Sequence, residues 1–172
     1  SPTATYDPIA DEMGVPEENR ISDNMIDELT ELVEDQKELV ESSGRKKPPK
    51  IALVFDDLSS MKKLQRSKLF EKEFTTNRNL NIMLFCCVHK ISALTRLCRL
   101  QCAHLMFFSS PFSEMKILCD EFCGAGLTKK QMLDLIKFAT TPSERDPKPF
   151  LYINLTCGDP TRRYRKNFDT VL

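Results

Sequence analysis

Apolar residues recur along this chain in two rhythms. From 25 to 40 they return every three to four positions: Met25, Leu32 and Leu39 lie seven apart, Ile26, Val33 and Val40 sit beside them, and Leu29 falls between. One apolar stripe on an otherwise acidic segment predicts an amphipathic helix. Ser22 or Asp23 supplies its N-cap and Gly44 its stop. From residue 51 the rhythm changes. Apolar runs at 51–55, 82–88, 103–108 and 150–155 predict buried strands. Helical spacing at 59–75, 91–100, 112–123 and 128–140 fills the intervals, with Thr128 capping the last helix and Asn77, Asn79 and Asn81 ending the first. Strands alternating with helices predict an α/β fold, a mostly parallel sheet flanked by helices, behind an N-terminal acidic helix. Residues 1–21 carry Pro2, Pro8 and Pro16 and read as a mobile or loosely docked lead-in. Residues 45–50, with Pro48 and Pro49, read as a basic linker, so the expected parts are 1–44 and 45–172.

Length and composition agree with this. A chain of 172 residues, 41% of them apolar, can bury a core without disulfide staples. The longest apolar run, 82–88, falls far short of a membrane span of about 20 residues. No charged-then-apolar leader suggests secretion. Seven Cys without paired spacing read as reduced thiols in a cytosol-like compartment. The formal net charge of zero conceals an asymmetry: residues 1–42 hold 13 acids and 2 bases, residues 43–172 hold 12 and 23. A basic body suits an anionic partner such as nucleic acid or a nucleotide phosphate; equally, arm and body neutralise each other.

The strongest chemical candidate is the apolar strand at 51–55 that ends in Asp56 and Asp57. Carboxylates at the carboxyl edge of a parallel sheet lie where ligands bind in open α/β folds. Asp56 can hold magnesium through water, and Asp57 can orient or deprotonate an attacking water, which is Walker B logic. The bland alternative is that Asp57 caps the following helix. Such chemistry also needs a phosphate cradle, and Gly-x4-Gly-Lys-Ser/Thr is absent from a chain with only five Gly. Residues 124–130 look like such a loop superficially, but the spacing is wrong and they join two helices. Neither Cys86, Cys87 and His89, nor Cys98, Cys102 and His104, nor Cys119 and Cys123 has the close pair of a structural zinc site; buried thiols explain them better. No Cys has the local context of a nucleophile. Bases cluster at 45–50, at Arg96 and Arg99, and at Arg162, Arg163, Arg165 and Lys166 around Tyr164. These suit phosphate contacts, an arginine finger, or simply a solvated strand.

Four segments taken in order resemble a family. They are IALVFDDL (51–58), LFEKEFTTNRNLNIMLFCCVHK (69–90), CAHLMFF (102–108) and KPFLYINLTCGDPTRRYRKNF (148–168). The set is similar to the C-terminal half of viral DNA-packaging ATPases of the poxvirus type, within the FtsK–HerA superfamily, and covers about residues 50–170.

The resemblance implies part of a RecA-like core, read as a portion lying after the Walker A loop, or else a degenerate ATPase subunit. It makes Asp56 the magnesium-associated acid and Asp57 the catalytic carboxylate. Arg78, in the turn 77–81, matches the family arginine, a possible trans-acting finger. His89 stands where the family's sensor strand ends in Gln. The parent activity implied is ATP-driven translocation of double-stranded DNA into a capsid. It would use Mg2+ and ATP, work as a ring homo-oligomer with capsid components, and act in the host cytoplasm or virion. Neither cofactor is expected on these 172 residues alone. Basic residues Arg96, Arg99, Arg162, Arg163, Arg165 and Lys166 would track the duplex backbone. Two other readings stand beside this one: a non-catalytic DNA-binding or assembly module on an α/β scaffold, and, third, a magnesium-dependent nuclease using Asp56 and Asp57.

Overall fold

The long acidic helix forms where the stripe predicts it. It is α2 (Met25–Ser43), preceded by α1 (Asp7–Glu12) and a 3-10 turn at Glu17–Asn19. The computed structural model describes residues 7–12, 14–20, 25–43, 48–58, 61–124 and 126–172. The expected caps at Ser22 or Asp23 and at Gly44, residues 45–47 of the basic linker, and residues 59–60 lie outside them. The lead-in has local order of its own: Arg20 pairs with Asp11 at 2.5 Å and donates through Nε to the Val15 carbonyl at 3.1 Å. The chain groups into two units. Residues 1–53 with 66–85 form one, and residues 54–65 with 86–172 form the other.

In the first unit α2 buries Leu29, Val33 and Gln36, one face at helical spacing, while Ile26 and Leu39 remain exposed. Gln36 Nε2 donates to the carbonyls of Pro49 and Leu80, both at 2.8 Å. Helix α4 (Lys68–Thr76) belongs to the same unit. The hydroxyl of Ser67 caps it by accepting from the Phe70 amide at 3.1 Å. Phe70 and Phe74, one turn apart, meet edge to face with centroids 5.0 Å apart. The helical rhythm at 59–75 is therefore split, with the four-residue α3 (Lys62–Gln65) counted in the second unit. A 3-10 turn at Asn77–Leu80 then runs into Asn81, whose left-handed φ of 57° ends it.

Strands β1 (Ile51–Phe55) and β2 (Ile82–Cys86) pair in parallel. The Ile51 amide donates to the Asn81 carbonyl at 3.1 Å, and the Cys87 amide to the Phe55 carbonyl at 2.8 Å. The second unit adds a four-stranded sheet in the order β3-β4-β5-β6: β3 (His104–Phe107), β4 (Leu151–Asn154), β5 (Tyr164–Lys166) and β6 (Thr170–Val171). Every pairing in it is antiparallel. The α/β class therefore holds, but the mostly parallel sheet is corrected: among the described residues parallel pairing is confined to β1 and β2. The reason lies in the connections. Between β3 and β4 run two helices, α6 (Phe112–Phe122) and α7 (Lys129–Thr140). A single crossover helix returns the chain to the end where it began, but two in succession deliver it to the opposite end, so the next strand enters antiparallel. The later links are too short for any crossover. Asn167, left-handed at φ 53°, turns β5 into β6.

Alternation divides this sheet into two faces. Phe107, Leu151, Ile153 and Tyr164 point to one side and share a core with Leu118 and Phe122 of α6 and Met132 and Ile136 of α7. Burying an Ile or Leu in such a core contributes roughly 1.5–3 kcal/mol, so Ile136→Ala is the kind of change that would open it. Thr128 caps α7 as expected, in a full capping box with Gln131.

Candidate functional site: a carboxylate and an imidazole at adjoining strand ends

The end of β1 is fixed on both sides of the acid pair. Phe55 is buried and its carbonyl accepts from the Cys87 amide; Leu58 is fully buried and its amide donates to the Cys87 carbonyl at 3.1 Å. Cys87, the residue just past the end of β2, thus bonds both flanks, and Asp56 and Asp57 bulge out between them. The bulge is closed by the Asp57 amide donating to Asp56 Oδ1 at 2.9 Å. Asp57 takes a left-handed φ of 44°, a region where short polar side chains are tolerated best after Gly. That turn brings its Oδ1 within 3.2 Å of His89 Nε2, just beyond the carboxyl end of β2. The His89 ring is 78% exposed and the Asp57 side chain 38%, so the pair opens to solvent. Burial, then the charge of Asp56, pushes the neighbouring Cys87 thiol up.

Of the residues singled out from sequence, the structure brings together Asp56, Asp57 and His89. Arg78 is exposed on the 3-10 turn of the first unit, whereas the acids and His89 belong to the second. Arg99 is spent internally. On α5 (Arg96–Gln101) it is buried, and its guanidinium is engaged by Glu121 of α6 and the Leu94 carbonyl. Arg96 is 75% exposed and reaches Glu121 only at 3.6 Å. Arg162 is exposed, and Arg165 donates to the Phe168 carbonyl at 3.0 Å. Lys166 lies over the Phe138 ring, 5.5 Å from its centroid. Arg163 packs so closely on Gly124 that a Cβ there would come within 2.8 Å of its Nη1. The Gly124 amide donates to the Tyr164 hydroxyl at 3.0 Å, and Lys129 and Lys130 open α7.

No disulfide joins any of the seven cysteines. Burial, with smaller contributions from neighbouring thiols, pushes Cys86 up to about 12 and Cys102 up to about 11. Among the described residues no group of three His, Cys, Asp or Glu is placed to hold a metal ion. Magnesium does not require one: it keeps most of its waters and takes one or two carboxylates beside substrate phosphates. The Asp56 carboxylate at the strand edge fits that role. No helix among the described residues is long and apolar enough to cross a membrane.

Sequence reasoning missed Glu121, the partner of Arg99, which no local spacing signals. It also missed the aromatic face of the four-stranded sheet, for which the alternation His104, Met106, Phe108 and Phe150, Tyr152 was the available signal. Comparison of the chain with protein-family models, with curated proteins and with solved structures gave no match.

Proposed function

We propose that this chain carries the water-activating edge of an ATP-driven motor that moves double-stranded DNA, of the viral genome-packaging type. One observation carries the reading: Asp57 and His89 lie 3.2 Å apart at the carboxyl ends of two parallel strands. In phosphoryl transfer the protein positions groups more than it makes bonds. A carboxylate paired with an imidazole can hold a water in line with a phosphorus and accept its proton. Asp56 would hold magnesium through water, and that ion would neutralise charge on the phosphates. Arg78 would act from a neighbouring subunit of a ring, and Arg162, the most open of the basic side chains on 162–166, would contact the DNA backbone. The RecA-like core of this proposal rests on β1 and β2 alone, since the four-stranded antiparallel sheet is not part of such a core. The reading requires a phosphate loop, and Gly-x4-Gly-Lys-Ser/Thr is not among these 172 residues.

The test is ATP hydrolysis by the complete gene product in its assembled form. Asp57→Asn and His89→Ala are expected to lower kcat by about 100-fold or more, with unchanged melting. Unchanged hydrolysis overturns the assignment, and the 172 residues alone are expected to turn over little or no ATP. The missing Gly-x4-Gly-Lys-Ser/Thr favours a second reading, a non-catalytic assembly module. Calorimetric titration with ATP and magnesium separates the two, because a module gives no binding heat.

A further inference from the structure

The outer face of the four-stranded sheet is built differently from the inner one. His104, Met106 and Phe108 run along β3 and its end, and Phe150 and Tyr152 along β4. Phe168 folds over them from the β5–β6 turn. The rings touch in series: Phe108 on Phe150 at 5.4 Å, Phe150 on Phe168 at 5.1 Å, Phe168 on Tyr152 at 5.3 Å, and Tyr152 stacked on His104 at 5.9 Å. The Tyr152 hydroxyl and His104 Nδ1 share a hydrogen bond of 2.9 Å, which fixes both ring planes. The strip is not a second core, since Met106, Phe108 and Phe168 are each about half exposed, at 51, 51 and 52%. Arg165 stands opposite Tyr152 in the ladder, and among the described residues its Nε has no hydrogen-bond partner although it is shut off from water. The surrounding segment 145–168 adds the exposed bases Arg145, Lys148 and Arg162 to Arg165, against the acids Asp146 and Asp159, whereas Lys166, opposite Leu151, lies on the inner face.

We infer that this face binds single-stranded nucleic acid, its rings stacking on unpaired bases and its cations taking the phosphates. Two features favour this occupant. The exposed groups are flat rings more than branched aliphatics, and a ring series offers what successive bases stack on, worth about 1–3 kcal/mol per base. The net positive charge of the flanking segment complements a phosphate backbone. A duplex hides its base faces and gains only the charge term. The inference rests on the second unit's antiparallel sheet and is independent of the Asp57–His89 proposal.

The test is fluorescence anisotropy with the whole chain, using labelled oligothymidylate of about 12 nucleotides, within the range of one stacking platform, against a duplex of equal length. The wild type is expected to prefer the single strand. The double variant Phe108→Leu/Phe168→Leu keeps apolar volume but loses two flat faces, and should weaken single-strand binding at least tenfold with an unchanged salt slope. Arg165→Gln should reduce that slope by about 0.7. If the Leu variant does not fold, tyrosine emission gives a second readout: the chain has three Tyr and no Trp. Oligothymidylate should quench it in the wild type and not in Tyr152→Phe. Equal affinity for duplex and single strand, no binding at low salt, or an effect of the Leu variant on self-association alone each overturns the inference.

Discussion

Arg99 and Glu121 hold each other through two parallel hydrogen bonds, Nε to Oε2 at 2.7 Å and Nη2 to Oε1 at 2.6 Å. Both side chains are nearly out of solvent, and Arg99 Nη1 adds a bond of 2.5 Å to the Leu94 carbonyl, tying α5 to α6. The hydrogen bond from Arg99 holds the Glu121 carboxyl below the usual range. A carboxyl lowered by folding stabilises above its unfolded value of about 4.3, and that contribution fades as pH falls through the folded value. Arg99→Met leaves Glu121 buried without its counter-charge, and should cost about 3 kcal/mol in urea denaturation at pH 7 and less near pH 3. Arg96→Ala, at the exposed rim, should change stability by less than about 0.5 kcal/mol.

Glu73 presents the opposite case. It is buried on α4, and neither carboxylate oxygen has a hydrogen-bond partner among the described residues. Burial raises its carboxyl above the ordinary value, against a smaller opposing pull from Lys72. A carboxyl raised by folding holds its proton more tightly in the native state. Its stabilisation is complete below the unfolded value of about 4.3 and is lost as pH rises through the folded value. Glu73→Gln should therefore stabilise by about 1 kcal/mol at pH 8, where the wild type must ionise a buried group, and by almost nothing at pH 4. Equal effects at both pH values would show that Glu73 is not buried in solution.

How much of this was legible beforehand depended on the range of the interaction. Local signals were reliable: the Thr128 cap, the stripe through Leu29 and Val33, and the strand ending at Asp56 each use residues within a turn of one another. The approach of Asp57 to His89 was not legible: the two were named separately, and periodicity cannot show which strand ends adjoin. The parallel sheet failed because alternation of element types was read without counting helices per connection, and α6 and α7 come as two. Arg99 looked like a surface base because Glu121 lies 22 residues away, beyond any helical spacing.

Gln36 is a polar residue in an apolar stripe, and its two hydrogen bonds explain its place there. By donating to the Pro49 and Leu80 carbonyls it ties α2 to the chain entering both parallel strands. Gln36→Leu fills similar volume but leaves two carbonyls without their donor. It should cost about 2 kcal/mol, read as a lower urea midpoint at unchanged slope. A change in slope would instead mean that α2 has come away from the first unit.

Asp57 carries both a backbone burden and the proposed chemistry, and the two can be separated. Its φ of 44° costs an ordinary L-residue about 1–2 kcal/mol, least for Asp and Asn, whose short side chains bond locally. Its pairing with His89 is too exposed to contribute much to stability. Asp57→Asn keeps the tolerated backbone and an oxygen facing His89, so its melting should stay within about 0.5 kcal/mol of wild type. Asp57→Val places a β-branched side chain in the left-handed region and should lose about 1–2 kcal/mol. Loss of hydrolysis in Asp57→Asn then reports the missing carboxylate and not a disturbed turn. A Val variant as stable as wild type would mean that the left-handed corner, and with it the approach to His89, is not held in solution.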